Sequence, residues 1–477
     1  MKKIVSLILI VGLITSCVSL QGCHKKDEIS LTEKVDSKIT AYKTDLEDSI
    51  ETLNTNSKVC DYLSNWASAK GIDYTTDEYH NVIMKIETSE SYASAPATVV
   101  ICPYDAKQMQ NSVAPMAIGM YLAKNNESTG RLKVIFTDNT GNRFSGVKKL
   151  SSKIIPKDSN IFCLSSNEKS YWAVHTGAGS SYRFTGDLHY TKPTKNKAFK
   201  ITINGLPGGS PDASIGSYPN PVKRLGNLLA QFKTNALIYE LADLHGGSAG
   251  GLYPESATAT VVINEDDLEK FQKKIDKDIE HFNNHELDDY PDAEYKYEEV
   301  KMPKRVFTAR SMDRFVSLLY TLLDGAYNRN TDNEELVSFT NIGKLRLNEN
   351  TFTISATANS LSEDALKEID KDYELICGLS DVTYHKDSTM PPWTGDEDSQ
   401  FVTDVENAYN GFSNKKFSLR EYIPVTTASY ISRLEKESNV INLSVSGKGL
   451  NHYAGTILTF MMTQPHDEKK LNLNLNN

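Results

Sequence analysis

Residues 98–102 (TVVIC), 132–136 (LKVIF) and 160–164 (NIFCL) are three short runs of mainly apolar side chains, and residues 114–124 (APMAIGMYLAK) form a longer apolar segment between the first two. Short apolar runs are typical of buried strands, whereas the longer segment has the length of a helix. A strand, a helix and a second strand in this order predict a parallel sheet. The sequence therefore predicts an α/β domain with a mostly parallel central sheet, and residues 82–86 are a further predicted strand.

A second pattern begins at Tyr182, where predicted strands alternate with amphipathic helices. The predicted strands are residues 183–190, 199–203, 236–241 and 257–263. The predicted helices begin after Asn264, at Ser311 and at Ser362. After Pro392-Trp393 the first pattern returns, with helices over 401–410 and 452–462 and a strand over 440–445. We therefore expect one α/β domain, residues 36–181 and 394–477, interrupted by an inserted α+β lid domain, residues 182–393.

The charge and the cysteine pattern of the sequence exclude some classes of partner and of metal or redox site. The 477 residues include 62 Asp and Glu against 52 Lys and Arg, a formal net charge of −10. An acidic chain repels polyanions, so no nucleic acid is expected as a partner. The cysteines outside the first 23 residues include no C-x-x-C pair, which argues against a zinc knuckle or a redox motif.

The N-terminus predicts export. Lys2 and Lys3 precede an apolar run that ends at Ile14, as in a secretory signal. Cys17 and Cys23 each follow a small residue, and both segments resemble the lipobox at which bacterial lipoprotein signals are cut. We favour Cys23 as the lipidated residue, with a signal peptide over 1–22 and a polar tether over 23–35; Cys17 is the alternative. The expected location is the bacterial cell envelope, with the protein held on the membrane by its N-terminal lipid. A plain signal peptide that releases a soluble protein is the second interpretation.

Several local strings, in the same order along the chain, resemble one enzyme family. These strings are Trp66-Ala67, Lys70-Gly71, Gly177-Ala178-Gly179, Gly205 to Gly209, Tyr253-Pro254 and Pro392-Trp393. Together they resemble the aminoacyl-histidine dipeptidases (Xaa-His dipeptidases, carnosinase-like) of the two-zinc exopeptidase and aminoacylase superfamily. The resemblance covers nearly all of the mature chain. It implies a zinc-exopeptidase-like domain with an inserted lid, and a peptide hydrolase that uses two zinc ions.

The metal ligands implied by this resemblance are missing from the sequence. The family's first His falls on Pro103, its bridging Asp on Ser112, and the Asp at the end of the strand 160–164 on Ser165. The segment that holds the base and a ligand reads Thr137-Asp138-Asn139, so the ligand position has an amide. Asp105, Asp138 and His452 are vestigial candidates, and two isolated carboxylates do not make a zinc site. We therefore expect no metal and no cofactor, although zinc is the cofactor that the family implies.

The substrate-binding positions of the family are also changed. Its His after Gly209 falls on Ser210, an Arg-Asn pair on Gly250-Gly251, and an Arg after the lid strand on Asn359. The remaining candidates for the cleft between the domains are polar or aromatic side chains at the same positions: Tyr104, Asn139, Ser165, Ser210 and Tyr253.

Three functions stay open from the sequence. The preferred one is a catalytically inactive dipeptidase relative that binds a peptide or an envelope protein in the interdomain cleft, with a homodimer through the lid implied by the resemblance. The second is an active dipeptidase or amidohydrolase with a rebuilt site around Asp105, Asp138, His175 and His452. The third is a structural envelope protein without a ligand. His281 and His285, four residues apart, are interpreted as surface residues at the end of a polar helix rather than as metal ligands.

Overall fold

The computed structural model describes residues 31–87, 89–125, 129–167, 169–211, 218–234 and 236–466. The predicted signal peptide, Cys17, Cys23 and residues 23–30 of the predicted tether lie outside these ranges. Residues 31–35, the end of the predicted tether, are the first residues of a helix in which Val35 is buried. Among the described residues, none of the helices combines the length and the apolar character needed to cross a membrane.

The described part of the chain forms α-helices and β-strands that we number in chain order. The helices are α1 (Leu31–Ser49), α2 (Asn56–Lys70), α3 (Val113–Lys124), α4 (Pro221–Thr234), α5 (Leu268–Glu286), α6 (Ala309–Thr321), α7 (Glu363–Ser380), α8 (Gln400–Ser413), α9 (Thr427–Leu434) and α10 (Leu450–Met462). The strands up to the middle of the chain are β1 (Asp73–Thr76), β2 (Val82–Ile86), β3 (Thr98–Tyr104), β4 (Leu132–Asp138), β5 (Asn160–Ser166), β6 (Tyr171–Ala173), β7 (His175–Thr176), β8 (Ala178–Asp187), β9 (Tyr190–Thr191) and β10 (Lys197–Asn204). The later strands are β11 (Tyr239–Gly246), β12 (Ala257–Ile263), β13 (Glu294–Val300), β14 (Val306–Phe307), β15 (Gly325–Arg329), β16 (Leu336–Asn348), β17 (Thr351–Ser360), β18 (Thr383–Met390), β19 (Trp393–Thr394) and β20 (Asn439–Val445).

The three apolar runs that decide the fold are β3, β4 and β5, in the middle of a seven-stranded sheet. The strand order is β1-β2-β4-β3-β5-β20-β6. The pairs β4–β3, β3–β5 and β5–β20 are parallel, and the outer pairs are antiparallel. The predicted α/β class with a mostly parallel central sheet is confirmed.

Helix α3 packs closely against the central sheet. Every residue from Val113 to Ala123 is buried, because α3 lies against β3 and β4 and is covered by α1 and α10. Gly119 permits the close approach, since a Cβ at this position would lie 2.6 Å from the Sγ atom of Cys102 on β3.

The lid is built on an antiparallel sheet of its own. Its strand order is β13-β10-β12-β11-β16-β17-β8-β18, with β15 paired to β16. Strand β17 alternates between buried and half-buried side chains along its whole length, because helix α7 covers one face. The first four residues of β8, 178–181, are part of this sheet, so the sheet begins four residues before the expected boundary at residue 182. Two large hydrophobic cores result, one in each part of the chain.

Most predicted elements have nearly the observed bounds. In the lid, the strand predicted over 183–190 is β8, which runs from Ala178 to Asp187, and the strand predicted over 236–241 is β11, which runs from Tyr239 to Gly246. The acidic stretch 285–299 covers the end of α5, a turn and β13 up to Glu299, where charged residues alternate with Tyr295 and Tyr297.

A buried lysine and a buried aspartate join three elements of the lid. The Nζ atom of Lys223 on α4 donates to the carbonyl oxygens of Leu319 (3.1 Å), Tyr320 (2.5 Å) and Leu322 (2.6 Å) at the C-terminal end of α6. Asp324 follows this end, and its Oδ1 atom accepts from Asn220 (2.7 Å) and from the amide of Ile342 (2.8 Å). A cation at the negative end of a helix stabilises it, and here the same cation lies near a buried carboxylate.

We predict that Lys223→Met lowers the free energy of unfolding by about 2–3 kcal/mol, because the three carbonyl groups and Asp324 lose their cation. Urea denaturation measures the change. Lys233→Met on the same helix is the matched control. Its ion pair with Asp313 is half exposed (2.9 Å, side chains 54% and 48% exposed), so its loss should cost less than about 1 kcal/mol. Equal losses in the two variants would contradict the role given to Lys223.

The buried carboxyl group of Asp324 should also make the free energy of unfolding depend on pH. Burial raises the pKa of Asp324 from 3.8 to about 6. Between these values the folded chain keeps a proton that the unfolded chain has released, so the stability from this group is complete below pH 3.8 and is lost as the pH rises through about 6. Asp324→Asn should therefore flatten the decline in unfolding free energy between pH 4 and 6, measured by denaturation at each pH. An unchanged slope would show that other groups cause the decline.

Candidate functional site

A cavity of about 650 Å³ lies where the parallel strands end and the lid begins. Its floor is formed by residues at the carboxyl ends of β3 and β5 and in the loop after β4, and lid residues 205–211 and 289–292 lie over it. The order of the strands in the sheet reverses at this place, because β4 lies on one side of β3 and the next strand of the chain, β5, lies on the other. Ligands of α/β proteins bind at such a reversal, outside the carboxyl ends of the strands.

Pro103 lies at the point where β3 and β5 separate. Pairing between β3 and β4 continues to Tyr104, whereas pairing between β3 and β5 ends at Ile101 and Cys163. Proline has no N–H to donate, so it suits a position where a ladder ends. The gap between the two strands opens into the cavity.

The four positions at which the resemblance implies a missing metal ligand are brought together by the structure. Pro103, Ser112, Asn139 and Ser165 all line the cavity. The Oγ atom of Ser112 accepts from the amide of Asp105 (2.7 Å), and the Oδ1 atom of Asn139 accepts from the amide of Phe144 (2.8 Å). Both side chains therefore act as hydrogen-bond acceptors for backbone amides of neighbouring loops.

The carboxylates of Asp105 and Asp138 also accept hydrogen bonds from backbone amides. Asp105 accepts from the amides of Lys107 (2.8 Å), Gln108 (3.3 Å) and Gly141 (2.8 Å), so it joins the loops after β3 and β4. Burial raises the pKa of Asp105, and the three amides act against that rise. Asp138 is 4% exposed, and it accepts from the amide of Thr140 (2.9 Å) and from the hydroxyl of Ser145.

Beneath Ser165 lies a buried polar layer on β20. The Nδ2 atom of Asn442 lies 3.4 Å from the Oγ atom of Ser165, and Ser444 pairs with Ser165 in register. Asn442 and Ser444 are fully buried, and among the described residues the Oδ1 atom of Asn442 and the Oγ atom of Ser444 have no hydrogen-bond partner. These two unpartnered oxygens lie in the core behind Ser165, and neither residue lines the cavity.

Three tyrosines form an aromatic wall on the lid side of the cavity. The rings of Tyr218 and Tyr253 are stacked, with centroids 4.0 Å apart and planes at 10°, and the ring of Tyr290 meets Tyr218 edge-on at 5.8 Å. The hydroxyl of Tyr218 accepts from the amide of Gly208 (3.2 Å) and donates to the carbonyl of Pro254 (3.0 Å), which fixes the ring. Burial raises the pKa of Tyr218, so the phenol stays neutral.

The lid contacts the first domain directly beside the cavity. The Nδ2 atom of Asn142 donates to the carbonyl of Gly251 (3.1 Å), and the Oδ1 atom of Asn359 accepts from the amide of Val425 (3.2 Å). A Cβ at Gly251 would lie 2.9 Å from the carbonyl oxygen of Gly141, so only glycine allows this contact without a shift. Thus Gly251 and Asn359, two positions at which the resemblance implies substrate-binding residues, serve domain contact.

The other sequence candidates divide between the cavity and elsewhere. Ser210 and Tyr253 line the cavity. The hydroxyl of Tyr104 donates to the carbonyl of His80 (2.7 Å), so this side chain is turned into the core although its residue borders the cavity.

The candidate histidines have no described contact with Asp105 or Asp138. The Nε2 atom of His175 lies 2.6 Å from Glu397, and neither residue lines the cavity. His452 is in the first turn of α10, where burial and Lys415 lower its pKa. The rings of His281 and His285 stack on each other at 4.1 Å at the end of α5.

The residues present do not fit a pair of zinc ions. Within the described ranges, no group of three or more His, Cys, Asp or Glu side chains is arranged to hold a metal ion. The oxygens of Asp105 already accept three amides, and Asp138 is not among the residues that line the cavity. We therefore derive no reaction step through a metal.

Sequence reasoning missed most of the aromatic wall. Tyr253 was a candidate, but Tyr218 and Tyr290 were not, because they come from loops that are far apart in sequence. A signal was present: the chain contains three Tyr-Pro dipeptides, Tyr218-Pro219, Tyr253-Pro254 and Tyr290-Pro291, and all three tyrosines are in the wall. A residue before proline is restricted to extended backbone, which suits a side chain held at the edge of a cleft.

The fold is a mixed α/β fold of the dipeptidase type, with a mostly parallel central sheet. The structure is similar to that of the aminoacylhistidine dipeptidase from Vibrio alginolyticus, with a TM-score of 0.56 and 17% sequence identity over 91% of this chain and 98% of that chain. It also matches the Saccharomyces cerevisiae di-peptidase Dug1p, with a TM-score of 0.47 and 11% identity over 90% and 97% of the chains. No family model matches the sequence, and no curated protein matches it significantly. At 17% identity the likeness to the Vibrio alginolyticus structure establishes the fold.

We predict that Asp105→Ala lowers the free energy of unfolding by about 2–4 kcal/mol, because three backbone amides lose a charged acceptor. Thermal and urea denaturation measure the change. Asp288→Ala removes a carboxylate from an exposed residue next to the cavity and is the control, with an expected effect within about 0.5 kcal/mol. If Asp105→Ala is as stable as the control, Asp105 does not hold the two loops together.

Proposed function

We propose that this protein is a catalytically inactive relative of the dipeptidases that binds a peptide segment or an envelope protein in the cleft between its two domains. A lipid on Cys23 would hold it on the bacterial membrane after removal of residues 1–22. The anchor, the envelope location and a homodimer through the lid rest on the sequence and on the resemblance.

One observation supports the proposal above all: the acidic side chains left at the catalytic end of the sheet are engaged in holding loops. Asp105 accepts three backbone amides, and Asp138 is buried and hydrogen-bonded to Thr140 and Ser145. A general base must reach a water or a substrate proton, and a metal ligand must present a lone pair to the ion. Neither carboxylate is arranged to do so, whereas the cavity itself is large enough for a ligand.

The rebuilt hydrolase site is the alternative that the test must decide. Its four residues would have to act together, but His175 is paired with Glu397 and His452 lies in α10 near Lys415. No described contact links either histidine to Asp105 or Asp138, so we give preference to binding without hydrolysis.

We predict that protein expressed from Lys25 onward contains less than about 0.1 zinc per chain by elemental analysis and hydrolyses no member of a dipeptide panel, including Xaa-His dipeptides, with or without added Zn²⁺. The reason is that the zinc affinity of a site falls with each lost ligand. Circular dichroism of the same sample checks that the protein is folded.

Stoichiometric zinc together with chelator-sensitive hydrolysis would overturn the proposal. In that case Asp105→Asn/Asp138→Asn should abolish the activity, which separates a rebuilt site from a contaminating peptidase. A folded, inactive protein that binds neither peptides nor envelope proteins would instead favour the structural role.

A further inference from the structure

The charges around the cavity favour ligands without a carboxylate. Among the described lining residues, the cation is Lys43, and its Nζ atom lies 3.5 Å from Glu47 on the same helix. Residues 212–217, which lie outside the description, contain no Lys, Arg or His. Asp289 and Asp292 on the lid add two exposed carboxylates to the lining. A ligand carboxylate would therefore meet like charge and, among the described residues of the lining, no unpaired cation.

The positions where a charged anchor is implied by the resemblance carry no charge and are closely packed. Gly251 carries no side chain and lies against Gly141 and Asn142 of the first domain, and Gly250 packs against Ser355 within the lid. The amide of Asn359 is engaged with Val425. A fixed cation selects a free C-terminal carboxylate, and among the described residues of the lining the cation is Lys43, which is paired with Glu47.

The uncharged groups of the lining match a peptide backbone. Amide and hydroxyl side chains at the strand ends offer both donors and acceptors, and those facing the cavity include Gln110, Asn111, Ser165, Ser166 and Ser210. The tyrosine wall supplies flat apolar surface on the opposite side. A cavity of about 650 Å³ also holds a ligand of drug-like size, which is larger than a dipeptide.

We infer that the cleft binds an internal, uncharged stretch of a polypeptide, with the C-terminal carboxylate of that chain outside the cavity. This inference rests on the proposed function and sharpens it: the fold of an exopeptidase is used here to bind a segment rather than a free C-terminus. Specificity then comes from backbone amides and from side chains packed on Tyr218 and Tyr290.

The test uses the full-length protein and two hexapeptide pools with the same mixed, uncharged sequences and acetylated N-termini. One pool ends in a C-terminal amide and the other in a free carboxylate. Affinity selection with mass spectrometry finds the bound sequences, and calorimetry gives Kd for each in both forms. We expect the amide form to bind at least about tenfold more tightly, because the carboxylate form meets Asp289 and Asp292.

Two charge variants test the cause. Asp289→Asn/Asp292→Asn should reduce the ratio of the two Kd values to about threefold or less, because the repelling charges are gone. Asp266→Asn/Asp332→Asn changes the lid charge equally at exposed residues that do not line the cavity, and should keep the tenfold ratio. Calorimetry of the same peptides measures both. An equal effect of the two variants would overturn the inference.

The remaining outcomes separate this inference from the proposed function. Equal binding of both pools, tighter binding of the carboxylate pool or binding of free dipeptides alone would overturn the inference but leave a binding cleft. Binding of neutral oligosaccharides in place of peptides would do the same and would assign a different class of ligand. No binding by any pool, with the protein folded, would overturn both.

Discussion

The carboxylate of Asp105 joins the loops that follow β3 and β4, and the floor of the cleft depends on this contact. Parallel strands end at the same edge of the sheet, so their loops crowd together and leave backbone amides that need acceptors. Asp105 meets that need for Lys107, Gln108 and Gly141, and Ser112 in turn accepts from the amide of Asp105. Since a carboxylate that satisfies three amides has little capacity left for an ion, the same contact that builds the floor makes it a poor metal site.

The sheet and the tyrosine wall show how much of this molecule sequence reasoning can reach. Strands β3, β4 and β5 were predicted to within two residues, because each is an apolar run bounded by polar or turn residues. Pro103, Ser112, Asn139 and Ser165 were recognised as one site through the resemblance, and they do line one cavity. Tyr218 and Tyr290 escaped notice because nothing local connects two loops about 70 residues apart; only the arrangement of lid strands brings them together. The engagement of Asp105 and Asp138 with backbone was equally hidden, since loop geometry decides it.

The lid and the first domain are held together by direct contacts beside the cleft. Loop residues 249–251 reach the first domain because Gly251 leaves room for Gly141 and Asn142, and Asn359 fastens the other side through Val425. Larger or charged side chains at these positions would hold the loop away from the first domain. An enzyme that must release products needs a lid that opens, whereas a binding site gains when its walls are already in place.

The charges at the strand ends and on the lid both disfavour a ligand carboxylate. A two-zinc site with its cations would attract the carboxylate of a peptide substrate, and an arginine on the lid would hold it. Here the described residues at the strand ends form no group of His, Cys, Asp or Glu side chains that could hold a metal ion, the lid positions carry glycine and asparagine, and Lys43 is paired with Glu47. Asp289 and Asp292 add negative charge to a lining that already includes Asp105. A free C-terminal carboxylate is therefore the part of a peptide that this cleft is least suited to hold, even though its fold is one that dipeptidases use.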